Sequence, residues 1–124
     1  QYHNAENKNV RYRVCQLVTE LLYALPSEVV VEEEIIEKII ETFLVRLKDR
    51  YPPVREQATS ALHRLQNPKD EEDAIIAQYL RLLHYDSNLN VRTKVISSIA
   101  ISKKTIPHII ARSRDIKPEV REKV

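Results

Sequence analysis

The residue types that could carry out catalysis are few and scattered along this chain. The single cysteine, Cys15, has Val14 and Leu17 as apolar neighbours, which favours a buried thiol over a nucleophile. The four histidines fall in different segments and lack the i, i+4 spacing of a helical zinc site. They are His3, His63, His84 and His108. We therefore expect no catalytic residue, no metal site and no cofactor.

Two acidic runs, "EEE" at 32–34 and "DEED" at 70–73, could in principle bind a cation. Consecutive residues of a helix point in different directions, so these carboxylates are better placed to complement the start of a helix. The chain also contains no glycine. Because phosphate-binding loops and strained nucleophile turns need glycine, the sequence predicts neither an enzyme nor a small-molecule substrate.

Basic residues are the remaining candidates for a functional surface. Residues 87–124 carry nine basic and three acidic side chains, whereas residues 28–41 carry six acidic and one basic. Aromatic residues make up only 6% of the chain, which argues against a surface that stacks on bases. A basic surface of this kind could bind phosphates of an anionic polymer, and ordinary solvated charge is the alternative.

The dipeptide Val-Arg recurs at 10–11, 54–55, 91–92 and 120–121. Apolar or small residues follow the valine at i+4, i+7 and i+8 wherever the copy is long enough, which is one face of an α-helix. Other amphipathic segments lie between these copies, with Asp70 and Thr105 as the expected N-caps of two of them. These segments are "EEEIIEKIIETFLVRL", "DEEDAIIAQYLRLL" and "TIPHIIARSR".

The repeating unit is therefore a hairpin of two helices, roughly 30–45 residues long. This pattern predicts an all-α protein, an α-solenoid of HEAT-repeat helical hairpins with about three to four repeats, truncated at both ends. We expect residues 1–124 to form a single HEAT-repeat segment of a larger protein. The second helices of the repeats are expected near 10–24, 53–66, 89–101 and 118–124.

An aspartate stands five residues before the valine in three copies, as Asp49, Asp86 and Asp115, while the first copy has Ala5. In HEAT repeats such an aspartate and the arginine of Val-Arg commonly form a ladder between neighbouring repeats. Uniform repetition of this arginine is what a structural role predicts. The arginines concerned are Arg11, Arg55, Arg92 and Arg121.

The position three residues after the valine differs, because it lies off the apolar face and varies in charge. It carries Arg13, Gln57, Lys94 and Lys123. We expect its three cations to form a basic track, and the last hairpin to add a second basic cluster. The residues predicted to bind DNA are Arg13, Lys94, Lys103, Lys104, Arg112, Arg114 and Lys123.

Three segments from Lys8 onward resemble the amino-terminal HEAT region of the condensin G subunit (the CAP-G type). They are "KNVRYRVCQLVTELL", "FLVRLKDRYPPVREQATSALHRLQNPKDEED" and "DSNLNVRTKVISSIAISKKTIPHIIARSRDIKPEVR". The resemblance implies a non-enzymatic HEAT subunit that acts in mitotic chromosome condensation. It implies that the chain holds the kleisin subunit and binds duplex DNA through the phosphate backbone, without sequence specificity.

The same resemblance implies a place in the nucleus and on chromosomes, and in the cytoplasm outside mitosis. No apolar run reaches the roughly 18–20 residues of a membrane helix, so we expect no membrane contact. The alternative function is a HEAT scaffold or transport adaptor that binds only proteins. The two hypotheses differ in whether the basic residues converge on one surface.

Overall fold

The repeat in the sequence corresponds to a series of helices joined by turns. The computed structural model describes residues 7–26 and 31–113, and within them there is no β-strand. The helices are α1 (Lys8–Ala24), α2 (Glu33–Arg46), α3 (Pro52–Leu62), α4 (Ala74–Tyr85), α5 (Leu89–Ser98) and α6 (Ile106–Ser113), with a 3₁₀ turn at His63–Leu65. The chain divides into two compact units, residues 1–62 and 63–124. The helix expected near 118–124 lies outside the described residues, and the assignment of a single segment stays a prediction.

In the first unit, α3 packs against both α1 and α2. The apolar face predicted after the second Val-Arg is the buried one, because Val54, Ala58 and Leu62 are all fully buried. α2 contributes Phe43, which is 2% exposed, to the same core. Burial of each large apolar side chain contributes roughly 1.5–3 kcal/mol to folding. The repeated stripe therefore forms the contact surface of this helix.

The first helix differs from α3 in which face it buries. Its buried residues are Arg11, Cys15 and Thr19, whereas Val10 is 37% exposed and Leu17 is 47% exposed. No described helix precedes α1, and the helix that α1 packs against is α3, which follows it in the chain. Hydrogen bonds support the α1–α3 contact instead, as the Tyr23 hydroxyl donates to the Ser60 carbonyl at 2.8 Å.

In the second unit, α4 packs against α5 and α6. Val91 and Val95 of α5 and Tyr79 of α4 are fully buried, again as the i, i+4 pattern predicts. The Gln66 amide connects the end of the 3₁₀ turn to the end of α5. Its nitrogen donates to the Ser98 carbonyl at 2.7 Å, and its oxygen accepts the Ala100 amide at 2.7 Å.

The N-termini of α4 and α6 differ from the sequence prediction in how they are capped. Asp73, not Asp70, caps α4, since the Asp73 carboxylate accepts the Ile76 amide at 3.1 Å. Asp70 instead closes the preceding turn by accepting the Glu72 amide at 2.9 Å. Thr105 does stand just before α6, but its hydroxyl donates to the Ala100 carbonyl at 2.7 Å and so holds the loop rather than the helix.

Candidate nucleic-acid interface

The turns before α3 and α5 are built in the same way. In the first unit the Asp49 carboxylate accepts the Tyr51 amide at 2.9 Å, and Arg55 Nη1 donates to the Asp49 carbonyl at 2.7 Å. In the second unit the same sequence offsets give the same two hydrogen bonds. The Asp86 carboxylate accepts the Asn88 amide at 2.9 Å, and Arg92 Nη1 donates to the Asp86 carbonyl at 2.6 Å. Arg55 and Arg92 therefore fasten their helices to the turns that precede them.

One rung of the predicted ladder is present in the first unit. Arg11, from the first Val-Arg, donates through Nε at 2.7 Å and Nη2 at 3.1 Å to the two oxygens of Asp49. Arg46 Nη1 donates to Asp49 Oδ2 at 2.7 Å. The Asp49 side chain is 2% exposed, so this cluster is buried. The expected structural role of the repeated arginine is confirmed at this rung.

The electrostatics of this cluster follow from its contacts. Burial works to raise the pKa of the Asp49 carboxyl, but hydrogen bonds from Arg11 and the Tyr51 amide, with the charges of Arg11 and Arg46, hold that pKa below its usual value. The hydrogen bond to Asp49 in turn raises the pKa of the Arg11 guanidinium. Both groups are therefore charged at neutral pH, and they form an ion pair.

Cys15 lies in the same core and is fully buried, as its apolar neighbours predict. Burial raises the pKa of the Cys15 thiol to about 12. Because the thiolate is the nucleophile and the metal ligand, a thiol with this pKa is poorly suited to either role at neutral pH. The residue fills the core between α1 and its neighbours.

The predicted DNA-binding residues take up several positions. Arg13 is exposed on α1, where Nη1 donates to Gln16 Oε1 at 2.7 Å, and Lys94 is half-buried on α5. Lys103 and Lys104 lie together, exposed, in the turn before α6. Arg112 is half-buried on α6, while Arg114 and Lys123 lie outside the described residues.

These positions are divided between the two units. Arg13 belongs to the first unit, and the other four described residues belong to the second. Lys104 is anchored, since its Nζ donates to the Glu71 carbonyl at 2.6 Å and so joins this turn to the one before α4. The basic surface as a whole stays a prediction. Of the predicted residues that the structure describes, Lys103 and Lys104 are adjacent cations.

A contact that the sequence did not reveal joins His84 of α4 to His108 of α6. Their ring nitrogens, Nε2 and Nδ1, lie 2.9 Å apart. Burial, and then the nearby His108 and Arg112, lower the pKa of His84. Neighbours 24 residues apart share no short-range spacing, so only the packing of α6 on α4 could reveal the pair.

The described residues hold neither a metal-binding cluster nor a membrane-spanning helix. No group of three or more His, Cys, Asp or Glu side chains within the described ranges is arranged to hold a metal ion. None of the helices there is long and apolar enough to span a membrane.

Comparison with known proteins points to one group of HEAT proteins. A family model described as GCN1-like, C-terminal HEAT repeats matches residues 13–124. The chain is 44% identical over 120 residues to Condensin complex subunit 3 of Homo sapiens, and 44% identical over 122 residues to that of Xenopus laevis. These alignments cover 97% and 98% of this chain but only 12% of each relative.

A solved structure, the crystal structure of the S. pombe condensin Cnd3-Cnd2 subcomplex, is similar with a TM-score of 0.86 and 31% identity. The match covers 98% of this chain and 15% of the solved chain. The predicted fold class, an all-α solenoid of HEAT-repeat hairpins, is thereby confirmed. The chain belongs to the HEAT-repeat family that the GCN1-like model describes, and its relatives support its assignment to the HEAT region of condensin.

Proposed function

We propose that this chain is a non-enzymatic segment of a condensin subunit that binds the kleisin subunit and duplex DNA during mitotic chromosome condensation. The observation that carries the proposal is the 44% identity to Condensin complex subunit 3 over 97% of the chain. The setting would be the nucleus and chromosomes, and the cytoplasm outside mitosis. Catalysis would belong to other subunits of such a complex.

The proposed protein partner is supported by the nature of the solved relative. That structure is a subcomplex of two condensin subunits, Cnd3 and Cnd2, and its similarity spans almost all of this chain. A second condensin subunit is therefore the partner of choice, and the resemblance in the sequence names the kleisin for that role.

Duplex DNA would contact cations on the helices and turns. Lys103 and Lys104 are exposed side by side, and Lys94 occupies the position three residues after the repeated valine, as Arg13 does on α1. Contact of lysine and arginine with phosphates releases counterions, so the affinity would fall steeply with salt and would not depend on sequence.

The test is reversal of three lysines, Lys94, Lys103 and Lys104, to glutamate in the intact protein. Binding of a fluorescent duplex is measured by anisotropy over a range of salt concentrations. We expect weaker binding at every salt concentration, and a log K against log[salt] slope that falls by about 0.9 for each lost phosphate contact. The matched control reverses Arg64, Lys69 and Arg81, which are exposed in the same unit and change the net charge equally.

Two outcomes would contradict the proposed DNA contact. One is unchanged affinity of the triple variant at low salt, and the other is an equal loss in the control, which would reflect net charge alone.

A protein-only HEAT scaffold is the second candidate function. It is favoured by the exposed apolar residues of α1, of which Leu17 is 47% and Leu21 is 61% exposed. Co-purification with the kleisin subunit together with no DNA binding would support that candidate.

A further inference from the structure

A basic recess in the first unit lies apart from every residue assigned to DNA above. Its volume is about 350 Å³, within the usual range of ligand pockets, and the described residues that line it are Lys8, Arg11, Arg50 and Tyr51. Lys8 is the first residue of α1, while Arg50 and Tyr51 lie in the turn that leads into α3. Arg50, four residues after the end of α2, thus forms part of the wall of the recess.

The walls of the recess are held in place by contacts on both sides. Lys8 Nζ lies 4.7 Å from the centre of the Tyr51 ring, a cation–π contact between the start of α1 and the turn. The Tyr51 amide is itself bound by Asp49 at 2.9 Å, and Asp49 also holds Arg11. Arg11 is 7% exposed and forms a buried part of the lining.

The charge around the recess is positive. Asp49 is shared by Arg11 and Arg46, so one carboxylate faces two guanidinium groups. Lys8 and Arg50 are exposed and form no ion pair with a carboxylate in the described part of the chain. Among the described residues, three cations therefore line the recess, namely Lys8, Arg11 and Arg50, and an anionic ligand would lower their mutual repulsion.

Side chains, rather than helix ends, must supply the contacts to such a ligand. The Asn9 and Val10 amides at the start of α1 are already bound by the Asn7 side chain. Helix α3 begins with Pro52 and Pro53, which have no N–H to donate. Lys8 and Arg50, both exposed beside the cavity, are the donors that remain accessible.

We propose that this recess binds the phosphate monoester of a phosphorylated side chain on a partner protein. A monoester carries close to two negative charges and three strong acceptor oxygens, which match a cluster of cations in a small volume. Clusters of arginine recognise phosphorylated peptides in this way. Duplex DNA is less well suited, since its phosphates carry one charge each and are fixed along the strand, whereas a side chain can enter a recess.

The first experiment titrates inorganic phosphate into the intact protein at constant ionic strength, with the backbone amide shifts of Arg50 and Tyr51 followed by NMR. We expect saturable shifts that weaken about tenfold or more in Lys8→Ala and in Arg50→Ala, as loss of a charged hydrogen-bond donor predicts. Lys48→Ala is the matched control, because Lys48 is exposed next to the same turn but does not line the recess. Non-saturating shifts, or equal weakening in the control, would overturn the proposal.

The second experiment compares sources of phosphate. A phosphoserine peptide, its unphosphorylated form and a short DNA duplex are tested against wild type, Arg50→Ala and Arg50→Lys. We expect Arg50→Ala to weaken phosphopeptide binding while duplex affinity stays within twofold, and Arg50→Lys to restore part of the loss. If Arg50→Ala instead weakens the duplex and spares the phosphopeptide, the recess serves nucleic acid and the proposal fails. Unchanged far-UV circular dichroism of each variant excludes unfolding as the cause.

Discussion

Replacement of Asp49 by asparagine removes one negative charge from the buried cluster while keeping the size of the side chain. The asparagine oxygen can still accept the Tyr51 amide, so the turn before α3 can keep its local bond. Arg11 and Arg46, however, lose the carboxylate that lies 2.7 Å from each of them. The substitution thus tests the charge of the rung rather than the geometry of the turn.

The expected cost follows from the burial of the pair. Removing one partner of a buried ion pair costs about 3–5 kcal/mol because the remaining charge stays in a poorly solvated site. We expect Asp49→Asn to lie near the lower end, about 3 kcal/mol, since the amide oxygen still accepts one hydrogen bond. For a chain of this size that loss lowers the Tm by about 10 °C. Urea unfolding followed by circular dichroism at 222 nm measures it at pH 7.

The pH dependence of the same pair gives a second readout. Because the folded-state pKa of Asp49 is depressed, its stabilising contribution is fully present above the unfolded-state pKa of about 3.9. It is lost as the pH falls through the lower, folded-state pKa. The stability gap between wild type and Asp49→Asn should therefore be constant from pH 7 to about pH 5 and should close below pH 4.

The control is Asp70→Asn, which makes the same change at an exposed aspartate that accepts only a local amide. We expect it to change the free energy of unfolding by less than about 0.5 kcal/mol. Equal costs of the two substitutions, or a stability gap at Asp49 that persists unchanged at pH 3, would contradict the expected ion-pair contribution. Either result would mean that the charge of Asp49 does not stabilise the fold.

The remaining predictions concern three other buried or half-buried groups. Arg55→Ala should lower the free energy of unfolding by about 1–3 kcal/mol, because Arg55 donates to the Asp49 carbonyl. The control Gln57→Ala should lower it by less than about 0.5 kcal/mol, and equal melting temperatures of the two variants would contradict this distinction. Cys15, with a thiol pKa of about 12, should react with a thiol reagent at pH 8 more than about tenfold faster in urea than in the folded protein, and rapid native labelling would refute its burial. The lowered pKa of His84 means that its neutral form stabilises the fold fully above about pH 6.5 and less as the pH falls through the folded-state value. Wild type should therefore lose more Tm than His84→Gln between pH 7.5 and pH 5, and parallel losses would count against this role.

The sequence predicted most successfully those features that repeat. Val54 and Val91 are buried because the i, i+4 stripe must face another helix. The aspartate that recurs five residues before the valine pairs with a repeated arginine, as HEAT repeats led us to expect, in the rung from Arg11 to Asp49. Local signals were weaker at the helix ends, where Asp73 rather than Asp70 supplies the cap of α4. Several aspartates in one run can each cap, and only the packed position of the helix selects one.

Features that depend on tertiary packing escaped the sequence altogether. On α1 the apolar pattern predicted a buried stripe, yet Leu17 is half exposed. The recurring aspartate and Val-Arg did predict the rung between Arg11 and Asp49, but a contact that no repeat records leaves no such signal in the sequence. The contact between His84 and His108 and the recess at Arg50 are hidden from the sequence for the same reason.

The repeat also separates a buried position from an exposed one within a few residues, as α1 shows. Successive residues of a helix are rotated by about 100°, so positions one and three after the valine differ by about 200° and face opposite sides. Accordingly Arg11 is buried in the rung to Asp49, whereas Arg13 on the same helix is exposed. A HEAT protein can therefore vary the charge three residues after the valine, where the α3 repeat has Gln57, without disturbing the arginine directly after the valine. A shared scaffold explains how one chain matches both a GCN1-like HEAT model and condensin relatives, and it makes the exposed position the one at which function must be tested.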